Sequence, residues 1–515
     1  MNIDDKQTEG AMLSSTTKLD VGREDADVQS AMPNDLTTLH ADDEMADEVQ
    51  NINTSSNDMP TTQNAGAVST AQSSAPIATH KEHDAANAHT STWVSEQHEQ
   101  RSTQFTILKA IAIICVVLSH AGIRGWLFNF LFIFHVPVFF MCAGYFFHTK
   151  YLTDERTFVM HRIKGLYWPF LRWSVFFLVI HNLLFPLGIL SEQYGNASGG
   201  VLHPYTWHQW GQHLWGIAFN MSGYNDFLCG TFWFFRALLL ASLGFLILFK
   251  VLRRSEHFAT NVQAGWGILA ITLLLAFWKV TDNLTIPGVT QGGYRELMGA
   301  AFMAAGFLLR QYHVVERTNW KVATPCCVLL LLASFLFPSS MVWNGTVNDF
   351  FSLPLPAVAA FIALAWGCGY IDRYDNVAKR TLVYIGNRTL YIFAFHLVAF
   401  KLVSALKVAF YGLPWQAVGG HPTVLQPTSN VLWVLLYVVA GVGLPLLWLA
   451  AYRRIASKVT FTETQLIGAL VVTGQRLCHY VVLTARFIAM AVVAACRNVW
   501  QGIKDIIEAS SVADE

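Results

Sequence analysis

The amino-acid sequence predicts an all-α integral membrane protein with about ten transmembrane helices, a disordered N-terminal tail and a C-terminal amphipathic helix. The 515 residues are 53% hydrophobic and only 13% charged, whereas about a quarter of the residues in soluble domains are charged. Long apolar segments recur after residue 100, and Lys and Arg concentrate in alternate loops between them. These three observations divide the chain into an acidic cytoplasmic tail (1–100), a multi-pass membrane domain (101–458) and an amphipathic cytoplasmic region (459–515).

The tail differs from the rest of the chain in charge and in polarity. Residues 1–100 contain 18 Asp and Glu against 4 Lys and Arg, while the remaining residues contain 16 acids against 30 bases. The tail is rich in small and polar residues and has no aromatic residue before Trp93. Such a segment buries too little apolar surface to offset the entropy lost on ordering, so we predict disorder. Acidic residues near the start and the absence of an apolar core argue against a signal peptide. An interaction tail is the functional alternative.

Ten apolar segments are each long enough, or nearly so, to cross a bilayer as a helix, which takes about 20 residues. They lie near 104–122, 127–147, 166–190, 229–250, 265–281, 295–312, 323–338, 355–371, 385–406 and 431–452.

Loop charges support this number of spans. The loops after the even-numbered spans carry the bases, namely Lys150, Arg156, Arg162 and Lys164, then Arg253 and Arg254, then Arg317 and Lys321, then Arg373, Lys379 and Arg380, then Arg453, Arg454 and Lys458. Loops on the other side, such as 191–228, 339–354 and 408–430, contain no Lys or Arg, and Arg124, Lys279 and Arg295 are the exceptions. Since basic loops stay in the cytoplasm, we expect both termini there, in the plasma (inner) membrane.

The last apolar segment, 465–500, carries Arg476, Arg486 and Arg497. An interfacial amphipathic helix fits this pattern, and an eleventh span is the alternative.

Ionisable residues mark the first two spans. The stretch Ile107 to Phe147 contains Lys109 and His120 in its first apolar run and His135 in its second. Lys109 and His120 are eleven residues apart, about 16 Å along a helix, and point within about 20° of each other. Charged groups are costly at membrane depth and usually face a protein interior or an aqueous cavity. One face of the first helix therefore resembles the lining of a site that reaches across the membrane.

Other spans add polar groups, mostly in the outer half of the predicted membrane. They are Arg236, the adjacent pair Arg295 and Glu296, and His396, whereas Lys109 lies in the inner half. A lone His can serve packing, and an Arg near a helix end can extend to the interface. Several such groups on separate helices at one depth favour a functional site.

The eight cysteines fall mostly within or beside apolar runs and form no C-x-x-C pair or Cys/His cluster. We therefore predict neither a metal site nor a disulfide framework. Aromatic residues and histidines fill the predicted outer loop 191–228. They suit either sugar binding or an interfacial aromatic belt.

Several motifs in order resemble the type 3 membrane acyltransferases, closest to the fucose 4-O-acetylase-like branch. They are LKAIAIICVVLSHAG, FHVPVFFMCAGYFF, HRIKGLYWPFLRW, TFWFFRALLL and YIGNRTLYIFAFH, and the match covers residues 105 to about 455. The family pattern has Arg at the position of Lys109 and Ser at that of Ala143. Lys keeps the charge but lacks the bidentate fork of Arg, and a hydroxyl at Ala143 is not required.

The resemblance implies an O-acyltransferase that moves an acyl group, usually acetyl, from acetyl-CoA to a hydroxyl of a sugar or envelope glycan. The expected partners are acyl-CoA, the glycan and the lipid bilayer, with no nucleic acid and no bound cofactor or metal. His120 is the expected catalytic residue. Lys109, Arg236, Arg295, Glu296 and His396 are the expected substrate-binding or charge-stabilising residues.

Two other classes fit parts of the pattern. A transporter or exporter of a lipid-linked glycan or small solute also carries polar intramembrane residues, although the two halves of this chain show no convincing repeat. A membrane scaffold without activity would leave the His and Arg positions unexplained.

Overall fold

The computed structural model describes residues 103–456, apart from 192–193, 195–203, 225–227, 283, 285, 287–288, 342–344 and 425. The predictions for the tail (1–100) and for 459–515 concern residues outside this range. The helices form one unit through Leu449. From Ala450 a second unit follows, of which the structure describes the end of the last helix, to Ala456.

The described residues form helices and no strands. The first half contains α1 (Thr103–His120), α2 (Trp126–Phe134), α3 (Pro137–Tyr145), α4 (Glu155–Arg162), α5 (Trp168–Leu184), α6 (Trp207–Asn220), α7 (Trp233–Leu252) and α8 (Asn261–Asp282). The second half contains α9 (Tyr294–Gln311), α10 (Val314–Arg317), α11 (Trp320–Leu336), α12 (Val347–Ser352), α13 (Pro354–Asp372), α14 (Val377–Gly386), α15 (Thr389–Tyr411) and α16 (Val431–Ala456).

A helix lies at each of the ten predicted spans, which confirms an all-α membrane protein. Within the described part of the chain, eight spans are long and apolar enough to cross a bilayer, with α2 and α3, α4 and α5, and α12 and α13 each counted as one. The other two have plain reasons to fall short. Helix α11 is apolar but has 17 residues, and α9 carries Arg295, Glu296 and Arg310 within its 18 residues.

The second predicted span is interrupted in its middle. Helix α2 ends at Phe134, and α3 begins at Pro137. Proline has no N–H to continue the hydrogen-bond ladder and favours the first turn of a new helix. The interruption places His135 at a helix end within the membrane domain.

Helix α1 is central to the unit, since most of its side chains are buried. Two glycines allow neighbouring segments to approach it closely. A Cβ on Gly386, at the end of α14, would overlap the carbonyl of Thr106, and one on Gly441 in α16 would press on Val117 and Phe400. Polar side chains on α1 therefore face protein rather than lipid.

Helices α3 and α9 cross with their backbones in contact. A Cβ on Gly144 would overlap the backbone of Met303, and one on Gly306 would overlap the backbone of Met141. Small residues permit such close helix contacts in membranes, where dispersion rather than water exclusion drives helix association. This crossing fixes α3, which forms one wall of the cavity described next.

Candidate active site

A cavity of about 200 Å³ follows α1 from Phe105 to His120. Fifteen residues of helix correspond to about 22 Å. Its other walls come from α3, α4, α7 and α15 and from the segments beside them, including His135 and Val136 between α2 and α3. The sequence prediction that Lys109 and His120 face one site is consistent with this geometry, because both residues line the cavity.

One end of the cavity, the basic end, carries cationic and titratable groups. Lys109, His148, His161 and Arg162 line it. The start of α1 and the end of α3 meet here, as shown by Phe105 packing on the Tyr145 ring at a centroid distance of 4.5 Å. Such a cluster suits an anionic group such as a phosphate.

The other end, the histidine end, carries His120 and His135. In each ring Nδ1 lies against the backbone carbonyl four residues earlier, at 2.8 Å from Val116 and 2.5 Å from Leu131. A carbonyl only accepts hydrogen bonds, so Nδ1 carries the proton and Nε2 carries the lone pair. Both imidazoles are thus held in the tautomer in which Nε2 is the base.

His396 stands behind His120 rather than on the cavity wall. The two ring centroids are 5.2 Å apart, and His396 is fully buried. Its Nδ1 donates to the carbonyl of Phe393 at 2.8 Å. The structure thus brings His396 to the predicted catalytic residue, and a direct contact of His396 with substrate stays a prediction.

The predicted group Arg236, Arg295 and Glu296 lies outside the cavity lining. Arg236 Nε donates to Glu296 Oε1 at 3.0 Å in a buried ion pair between α7 and α9. Arg295 stacks its guanidinium 3.9 Å from the centre of the Trp233 ring and donates to the carbonyl of Met341. Because Trp233 lines the cavity, Arg295 contacts a wall residue of the site but does not line the cavity itself. Their substrate-binding role stays a prediction.

The walls between the two ends are mostly apolar. They include Ile113, Val116, Phe139 and Leu238, together with Cys142 and Ala143. Ala143 replaces the serine of the family pattern and faces the cavity, so this wall offers a methyl group where a hydroxyl is usual.

Several residues that line the cavity were not predicted as site residues from the sequence. His148 and His161 were not singled out. Arg162 was counted among the loop bases, and His135 was noted in the second apolar run without being given a role. An ionisable residue two positions before a helix-breaking Pro, as in His135-Val136-Pro137, was the available signal for His135.

The aromatic outer loop contains helix α6. Trp207 is 90% exposed, and Trp215 and Phe219 on the same face are also exposed, whereas Trp210 donates to the carbonyl of Leu178 and ties α6 to α5. An exposed aromatic stripe on a membrane protein is typical of the lipid–water interface. This placement favours the interfacial role for Trp207, Trp215 and Phe219.

Within the residues the structure describes, no group of three or more His, Cys, Asp and Glu side chains is arranged to hold a metal ion. What the cavity offers is a pair of basic nitrogens at one end and cationic groups at the other. This arrangement can bind an anionic molecule at the basic end and take a proton from a hydroxyl at the histidine end.

Comparison with known proteins identifies the family of this chain. The family model for the acyltransferase domain, Acyl_transf_3, matches residues 103–450. No curated protein and no solved structure matches the chain. The matched residues include nearly all of the described helices and the whole cavity, so the chain is a member of the type 3 membrane acyltransferase family.

Proposed function

We propose that the protein transfers an acetyl group from acetyl-CoA to a hydroxyl of a sugar or cell-envelope glycan. The observation that carries the proposal is the single cavity lined by cationic groups at one end and by His120 at the other. The phosphates of CoA fit the basic end, where Lys109 and Arg162 supply positive charge. The thioester would then lie toward the histidine end.

His120 acts as the general base in this proposal. Its Nε2 takes the proton of the acceptor hydroxyl as the oxygen attacks the thioester carbonyl. The carbon–sulfur bond breaks, and the proton passes from the imidazolium to the CoA thiolate, so that ester and free thiol form with no other reactant. General-base assistance contributes roughly 10²- to 10⁴-fold to such steps.

The buried position of His396 suits a supporting role. Its ring lies 5.2 Å from that of His120 and limits how the catalytic ring can turn. Arg295 supports the cavity wall at Trp233 by stacking on that ring. Both would preserve geometry rather than contact the reacting atoms.

The direct test is incubation of the purified protein with labelled acetyl-CoA and envelope glycans. We expect label to appear in ester linkage on the glycan, together with free CoA. A transporter would instead move a glycan across vesicle membranes without labelling it. If no glycan takes up label from wild-type protein, the proposal is wrong.

Lys109 is expected to contribute a point charge to donor binding. Lys109→Arg should keep much of the activity, since the charge remains at the cavity wall. Lys109→Met should lower kcat/KM for acetyl-CoA on the order of 10- to 100-fold, as expected for loss of a charged hydrogen bond. Initial rates over a range of acetyl-CoA concentrations measure this. Wild-type kinetics in the Met variant would show that Lys109 serves packing alone.

We also propose a plasma-membrane location with both termini in the cytoplasm, on the basis of loop charge. A cysteine replacing Trp207, which is 90% exposed, should then react with a membrane-impermeant thiol reagent on intact cells. Arg254→Cys, in an exposed basic turn after α7, should react only after the cells are opened. Wild-type protein gives the background from the native cysteines. The reverse labelling pattern would invert the topology.

A further inference from the structure

His135 is a second imidazole on the cavity wall that the reaction set out above does not use. It follows the last residue of α2 and lies two positions before Pro137, and its Nδ1 donates to the carbonyl of Leu131. The ring of Phe132 packs edge-on against it at a centroid distance of 4.9 Å. The orientation of the ring is therefore fixed, and Nε2 is the nitrogen left to meet another group.

That nitrogen is unusual for a buried polar atom. His135 is 1% exposed, and its Nε2 has no hydrogen-bond partner within the described residues. Buried polar atoms are nearly always hydrogen-bonded, and an unsatisfied one costs stability. A bound molecule that donates a hydrogen bond would compensate this cost. The Nε2 of His396 also has no hydrogen-bond partner within the described residues. Because His396 does not line the cavity, a molecule bound in the cavity would meet the Nε2 of His135 rather than that of His396.

The chemistry of the histidine end selects the kind of group that binds there. His120 and His135 line the same end of the cavity. Both carry Nε2 lone pairs, so both accept hydrogen bonds. Carboxylate and phosphate groups offer mainly acceptors and are disfavoured, whereas a molecule with two hydroxyls can donate to both rings.

We propose that His135 Nε2 accepts a hydrogen bond from a second hydroxyl of the acceptor, next to the hydroxyl that His120 deprotonates. The inference rests on the proposed acyl transfer. It assigns His135 to acceptor binding and requires an acceptor with neighbouring hydroxyls.

Two isosteric variants separate binding from structure. In His135→Asn the amide replaces Nδ1 and can keep the hydrogen bond to Leu131, but nothing replaces Nε2. In His135→Gln the amide reaches the position of Nε2 and can still accept a hydrogen bond. The assay uses labelled acetyl-CoA, with methyl glucopyranoside and its monodeoxy analogues as probe acceptors.

We expect the Asn variant to raise the KM for methyl glucopyranoside roughly 3- to 10-fold, as for loss of one neutral hydrogen bond. Its KM for acetyl-CoA should be unchanged, and the Gln variant should stay near wild type. One monodeoxy analogue should bind wild-type protein more weakly than methyl glucopyranoside does. The Asn variant should bind the same analogue and methyl glucopyranoside equally well, as a thermodynamic cycle requires.

Two results would overturn the inference while leaving the proposed function in place. One is an Asn variant with wild-type kinetics beside a Gln variant that fails to fold, which indicates a structural role. The other is loss of kcat in both variants at unchanged KM, which would make His135 a base. Wild-type protein that labels no hydroxyl compound contradicts the proposed function itself and this inference with it.

Discussion

Replacing His120 with Ala should abolish acetyl transfer while the protein still folds and inserts. The imidazole lines the cavity, and its Nδ1 is held by the Val116 carbonyl, so Nε2 is the proposed base. Loss of general-base assistance predicts a fall of at least about 100-fold in kcat. The measurement is acetyl transferred per inserted molecule, with the inserted amount quantified for each variant.

The matched variant His120→Gln separates catalysis from packing. Gln keeps the size and the hydrogen bonding of the side chain but cannot take a proton near neutral pH. If His120 is the base, His120→Gln should lower the activity almost as much as His120→Ala. If His120 serves only packing, the Gln variant should stay active and the Ala variant should mainly lower expression. Near-wild-type turnover by the Gln variant would show that His120 is not the general base.

Gly306→Ala should prevent most of the protein from folding. The new methyl group would overlap the backbone of Met141, and a helix backbone cannot move aside as a flexible side chain can. Overpacking in cores usually costs about 1–3 kcal/mol and sometimes more, and the backbone overlap here predicts the upper part of that range. The yield of monodisperse protein and its thermal unfolding in detergent measure the effect.

Gly244→Ala is the control for this substitution. Gly244 also lies in a membrane helix, α7, but a Cβ there meets no atom within 4 Å. Its yield and unfolding temperature should match or exceed those of wild-type protein, since Ala favours helix more than Gly does. Equal stability of the two variants would mean that α3 and α9 do not cross at Gly306.

The sequence was sufficient for the features that depend on local periodicity. Helix geometry alone placed Lys109 and His120 on one face, and both line the cavity. The ten apolar segments likewise correspond to helices, because a bilayer span requires a long apolar run. The order of the motifs was sufficient to indicate the family.

Features that depend on packing between distant segments could not be predicted in this way. Whether Arg295 faces a cavity or the back of Trp233 is decided by where α9 meets α7, some sixty residues apart in sequence. The same holds for Arg236 and Glu296, which satisfy each other as a buried pair. The position of His135 depends on the interruption at Pro137, which apolar composition conceals.

The apolar walls between the two ends of the cavity have an electrical consequence. A passage across a membrane that admitted water throughout would let protons and ions leak down their gradients. Ile113, Val116, Phe139 and Leu238 line this cavity, and an apolar constriction tends to exclude water and raises the energy of a bare ion. An acyl thioester is uncharged and is compatible with such walls. In the proposed function, such walls would let an acyl group pass between the two ends of the cavity while they oppose the passage of ions.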